Sequence, residues 1–133
     1  MSTIQSELAI AIAGKAVADV TLSAIVGNKV SFYKMAQGTE YPYITFEFIN
    51  NIKDGDSENT WEQTLVEFQL FSDDRSSTEM NEMTEAVTNL FDGVVLSLTN
   101  YTSIKFIRTN DFFNPASDIW DKRIRYEVEF QKN

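Results

Sequence analysis

The stretch from Trp61 to Phe91 constrains the fold more than any other, because its apolar residues change period part-way along. In the first half, Thr64, Val66, Phe68 and Leu70 share one face of an extended segment, and Leu65, Glu67, Gln69 and Phe71 fall on the other. Ser72-Asp73-Asp74-Arg75 then reads as a tight polar turn. Met80, Met83, Val87, Leu90 and Phe91 recur at helical spacing, and Gly93 supplies a stop. Ser76 and Glu79 have the spacing of a capping box, which satisfies two backbone donors at a helix start. A switch from a period of two to one near 3.6 implies a helix laid back across its own sheet.

The same alternation recurs on either side. Ile44, Phe46 and Phe48 alternate with Tyr43, Thr45 and Glu47. Ile124, Tyr126, Val128 and Phe130 alternate with Arg123, Arg125, Glu127, Glu129 and Gln131, the pattern of a sheet with one apolar and one charged face. Pro42 lacks a ladder donor and suits a strand entrance, where Tyr41 and Tyr43 would pack as aromatics. Val30–Tyr33 reads as a short edge strand and Val94–Leu98 as a brief strand or extended connection. Tyr101–Thr109 predicts another strand, which Phe112-Phe113-Asn114-Pro115 interrupts. Residues 1–27 are helix-prone. Ile4, Leu8, Ala11 and Ile12 make one apolar face, and Asp19 is placed to cap a second short helix ending at Gly27; one bent helix is the alternative.

The expected fold is therefore α+β, a largely antiparallel sheet with N-terminal and central helices packed against it. Its apolar face should include Ile44, Phe46, Val66, Phe68, Ile124, Tyr126 and Val128, covered by Met80, Met83, Val87 and Leu90. A chain of 133 residues fits one domain, 1–133.

Chemistry is constrained by what is missing. With no cysteine and no histidine, the chain has neither thiolate metal or redox chemistry nor the usual base near neutral pH. No run approaches about 18 apolar residues, and the N-terminus lacks a basic region followed by a signal-type apolar block. A soluble intracellular product is the simplest expectation. The five glycines form no phosphate-cradling pattern, and serine activation would need an unusual lysine or carboxylate arrangement. Carboxylate pairs offer little more. Glu127 and Glu129 share a strand face with Arg123 and Arg125, which suits cross-strand or intersubunit pairing better than acid–base catalysis. Glu79, Glu82 and Glu85 read as a helix-start residue and solvated neighbours. No catalytic residue, cofactor site or metal site is expected.

Charge is unevenly distributed. Residues 1–53 hold four acidic and four basic side chains, whereas Asp54–Asp92 holds eleven acidic and one basic. A chain of net charge −9 is a poor binder of nucleic-acid phosphate, and a solvated acidic surface or a functional acidic lining both fit. Asn50–Thr60 reads as a polar loop of eleven residues, long enough to serve as a recognition or contact arm. Within it Asp54-Gly55-Asp56-Ser57-Glu58 resembles part of a calcium loop but lacks the helix flanks and later ligands.

In order and spacing, several segments together resemble the tail-terminator, or tail-completion, proteins of long-tailed bacteriophages, in the branch of small minor tail proteins. They are Leu22-Ser23-Ala24-Ile25-Val26-Gly27, Tyr41-Pro42-Tyr43-Ile44-Thr45-Phe46, Val66-Glu67-Phe68-Gln69-Leu70-Phe71-Ser72 and Arg125-Tyr126-Glu127-Val128-Glu129-Phe130. The resemblance implies a structural protein forming a ring, usually a hexamer, at the head-proximal end of the tail and assembled in the host cytoplasm. Its partners would be further copies of itself, the tail-tube protein and the head–tail connector. Double-stranded DNA would pass through without specific binding, and no membrane would be involved. On this reading Asp54, Asp56 and Glu58 are contact-loop candidates, and Glu67 and Glu127 are candidates for charged sheet or intersubunit contacts. The competing expectations are an intracellular protein-binding adaptor and, more remotely, an acidic hydrolase.

Overall fold

A computed structural model describes residues 4–53, 61–96, 98–114 and 118–132. Three helices precede or interrupt the strands: α1 (Ile4–Ala18), α2 (Val20–Val26) and α3 (Thr78–Phe91). The strands are β1 (Val30–Phe32), β2 (Tyr43–Lys53), β3 (Trp61–Ser72), β4 (Tyr101–Phe113) and β5 (Trp120–Lys132), in the spatial order β1-β2-β3-β5-β4. Only β1 runs parallel to its neighbour; the other pairings are antiparallel, which gives the expected α+β fold.

All seven residues assigned to the apolar sheet face are buried, and Met80, Met83 and Val87 of α3 are buried over them, with Leu90 partly so. Phe68 sits at the centre, 4.8 Å from the Phe91 ring and 5.8 Å from that of Tyr126. Leu8, Ile12 and Ala16 of α1 and Leu22 and Val26 of α2 complete the same core. The N-terminal region forms two helices bent by 86°. Asp19 caps the second, accepting a 2.9 Å hydrogen bond from the Leu22 amide, and Gly27 ends it at φ 65°. At the strand entrance Tyr41 stacks on Tyr43, and Tyr43 packs against Phe71. Burial and the neighbouring Tyr41 raise the Tyr43 phenol above its ordinary pKa.

Two local expectations change, and one of two alternatives is taken. Asn50–Lys53 do not belong to the expected loop, because β2 runs on through Lys53, with Asn51 opposite Thr64 and Lys53 opposite Glu62; the rest of the expected loop lies outside the described residues. Asparagine is a poor strand former, but the adjoining β3 provides a ladder that overrides local preference, and a bulge after Phe48 absorbs the misfit. Likewise Phe112 and Phe113 do not interrupt β4 but pair with Arg123 and Lys122; bulges at Ser103/Phe106 and Arg108/Asn110 account for its blurred alternation. Val94 takes the alternative of an extended connection, exchanging backbone hydrogen bonds with Phe106 together with Gly93.

The capping box at Ser76 and Glu79 does not form. Ser77 occupies the cap position without a side-chain bond to a helix amide, and the Ser72 hydroxyl at the end of β3 donates 2.6 Å to Glu79 Oε1 instead. That bond ties the helix start to the strand before it, while Glu79 still lies in the favourable first turn of the helix dipole. Trp120 Nε1 donates to the Asp74 carbonyl and so pins the same turn to β5.

Candidate interaction surface

With α1, α2 and α3 gathered over one face of the sheet, the other face carries no helix among the described residues, and its side chains cover one another. Glu67 is its centre, only 1% exposed although it lies on the helix-free side. Register places it in a row with Glu47 on β2 and Arg125 on β5. Arg125 Nε donates 2.7 Å to Glu67 Oε2, and Arg123 Nη1 lies 3.7 Å from Oε1. Gln69 Nε2 also donates to Glu67 Oε1, at 3.1 Å, and reaches Glu47 at 3.4 Å. Two like charges opposite each other on neighbouring strands repel, so the arginines are what makes the Glu47–Glu67 pairing tolerable. Arg125 is held from above by the Phe112 ring, 5.1 Å away.

The network continues along β5. Arg123 Nε faces Asp121 Oδ1 at 3.7 Å, too long for a hydrogen bond, while Asn114 Nδ2 donates to Asp121 Oδ2 at 3.1 Å. Glu127 lies one turn of the alternation away, accepts a hydrogen bond from Gln63 and pairs across the sheet with Leu65 and Ile107. Ile107 is 57% exposed and Ile49, in the β2 bulge, 41%. The face is therefore an ordered polar centre with apolar side chains near one end.

Glu67 and Glu127 thus lie on one surface, whereas Asp54, Asp56 and Glu58 lie outside the described residues. The arrangement holds the Glu67 carboxylate still between its arginines. Among the described residues no group of three or more histidine, cysteine, aspartate or glutamate side chains is placed to hold a metal ion. Nor is any single helix among them long and apolar enough to cross a membrane.

A cleft of about 540 Å³ opens at one end of the sheet, where the β3–α3 turn meets the ends of β4 and β5. Phe113 and Trp120 form its aromatic wall, with ring centroids 5.7 Å apart, and Asp73, Asp74 and Asp118 rim it. Sequence reading missed both this cleft and the burial of Glu67. For Glu67 the available signal was Arg123-x-Arg125 alternating in phase with it; for the cleft, only the concentration of aspartate in two turns.

No protein-family model matches the chain, and no curated protein does. Its fold is similar to that of a chain in the virion of the native gene transfer agent (GTA) particle, with TM-score 0.77 and 15% identity over 99% of this chain and 98% of that one. A second solved chain, whose name describes no activity, is similar with TM-score 0.57 and 11% identity over 98% of this chain and 93% of that one. The protein therefore has the fold of a virion component.

Proposed function

We propose that this protein is a structural component of a phage-type tail, a tail-completion protein that forms a ring and ends elongation of the tail tube. The observation that carries this reading is the likeness to the GTA virion chain over nearly the full length of both. A charge network fixed on a sheet face that carries no helix among the described residues suits a role in assembly contacts. In the proposed assembly, 1–133 is one domain and six copies close head to tail at the head-proximal end of the tail. Closure satisfies exposed strand edges without generating an endless fibre. The segment with Asp54, Asp56 and Glu58 and the face with Glu67 and Glu127 contact neighbouring copies or the tube, and the opposite side of the ring receives the head connector. Acidic groups toward the passage repel DNA phosphates as the duplex moves through, an effect screened over about 8–10 Å by physiological salt.

The test is to add the purified protein to tail-tube protein polymerising in vitro and to measure tube lengths by electron microscopy. The proposal expects short tubes with density for a ring at one end. Tubes that grow to the same lengths with and without the protein, and carry no added density, refute it.

A further inference from the structure

One backbone position is strained without serving the core. Tyr33 follows β1 with φ 73°, a conformation rare for a bulky side chain, and the Lys34 amide bonds back to the Phe32 carbonyl at 2.9 Å. This is the positive-φ γ-turn, the strained form. It is held on both sides: the Tyr33 amide donates to Phe46 at 2.7 Å and the Ser31 hydroxyl to the Lys34 carbonyl at 3.0 Å. The result is a projecting ring, 66% exposed, tilted against Phe32 with centroids 6.4 Å apart. Lys34 beside it is exposed and forms no ion pair among the described residues. Strain maintained around an exposed aromatic points to use of that ring outside its own domain.

The complementary surface is the cleft between the β3–α3 turn and β5. It offers Trp120 and Phe113 to an aromatic ring and the exposed Asp73 and Asp118 to an ammonium group. The face of Phe113 already carries Lys122 Nζ at 5.0 Å, which leaves Trp120 as the principal stacking partner. A chain cannot fill its own cleft. Tyr33 is anchored to Phe46, which pairs with Phe68, and the cleft begins at Ser72, four residues further along β3. Two strand spacings are roughly 10 Å and four residues about 13 Å.

We propose that Tyr33 and Lys34 of one copy dock into this cleft of a second copy, the ring against Trp120 and the ammonium between Asp73 and Asp118. Projection and cleft lie at different parts of the molecule, which lets the contact repeat head to tail from copy to copy, as the proposed ring requires. This inference rests on the ring proposed above and supplies one of its contacts.

The test compares wild type with Tyr33→Gly, with Lys34→Glu, with Asp73→Lys/Asp118→Lys, and with all three charge reversals together. Association is followed by sedimentation and by ring density on tail tubes. Tyr33→Gly should weaken association at least about tenfold, as loss of an interface aromatic does. Its melting temperature should be unchanged or higher, because glycine adopts this φ without strain. Lys34→Glu and the aspartate reversals should each weaken association, and the combined variant should recover it. Wild-type association retained by Tyr33→Gly, loss matched by an equal loss of thermal stability, or no recovery in the combined variant overturns the docking while leaving the ring proposal standing. Wild type that never associates, free or on tubes, and does not limit tube length overturns both.

Discussion

Phe68 and Glu67 are neighbours in sequence and equally buried, each 1% exposed, yet they are buried by different means. Phe68 is covered by another layer of the fold: α3 brings Phe91 onto it, and the adjoining strand contributes Tyr126. Glu67 is covered by side chains of its own sheet, two arginines and a glutamine whose charges and amides close over the carboxylate. The first arrangement removes apolar area from water and supplies the driving force for folding. The second adds little net stability, since Arg123 and Arg125 have side chains 30% and 34% exposed and keep part of their hydration. What it supplies is a fixed pattern of charge on a face that no helix occupies among the described residues. One face makes the domain; in the proposed assembly the other carries its contacts.

The comparison is broken most forcefully at the core. Phe68→Ala should cost about 3–5 kcal/mol in urea or thermal unfolding, the range for a large buried aromatic whose cavity does not collapse. Glu67→Gln should cost less, about 1–2 kcal/mol, because the released arginines can turn to water. The same variant should nevertheless fail to cap tail tubes while remaining folded at room temperature, a combination that a purely structural Glu67 would not produce.

Tyr126 tests the seam between α3 and the sheet. Its hydroxyl donates 2.5 Å to Asp92 Oδ1, and Arg108 lies 3.3 Å from the other oxygen. Burial first, and then the bond to Asp92, raise the phenol pKa above its usual value near 10. Because the folded-state value is the higher one, the stabilisation is complete below about pH 10 and is lost as pH rises beyond it toward the folded-state pKa. Tyr126→Phe should cost about 1 kcal/mol at neutral pH, and its stability should fall less steeply than wild type above pH ~10. At the smallest scale, Ser72→Ala should destabilise by about 0.5–1.5 kcal/mol through loss of the Glu79 bond. Ser76→Ala should change stability by less than about 0.5 kcal/mol, the reverse of what a capping box requires.

The core face was legible in the sequence because burial under a helical layer selects apolar residues at a fixed period. Ile124, Tyr126, Val128 and Phe130 could hardly be placed otherwise. The outer face was legible as charged but the burial of Glu67 was not, because a residue buried by arginines looks in sequence like any exposed glutamate. Strand ends were misread at Asn50–Lys53 and Phe112–Phe113 for a third reason: their extended backbone is imposed by a long partner strand and carries no local signature. Ser72 shows the same dependence on context. Ser76 has the right spacing to Glu79, but the hydroxyl that reaches the carboxylate comes from the preceding strand. Nor does Tyr33 resemble a turn residue, since glycine or asparagine normally marks a positive φ.

That the helix-free face is the working face can be tested with one labelling experiment, made clean by the absence of cysteine from the chain. Ile107 on β4, opposite Glu127 on the helix-free face, is 57% exposed, so Ile107→Cys can be labelled with a maleimide in the free protein and in assembled tails. Val20, 82% exposed on the helical side, gives the companion site as Val20→Cys. The account predicts that assembly slows labelling at position 107 at least about tenfold and by a larger factor than at position 20, as expected for a surface covered by a partner. Equal labelling of Ile107→Cys before and after assembly, with position 20 protected instead, would contradict it.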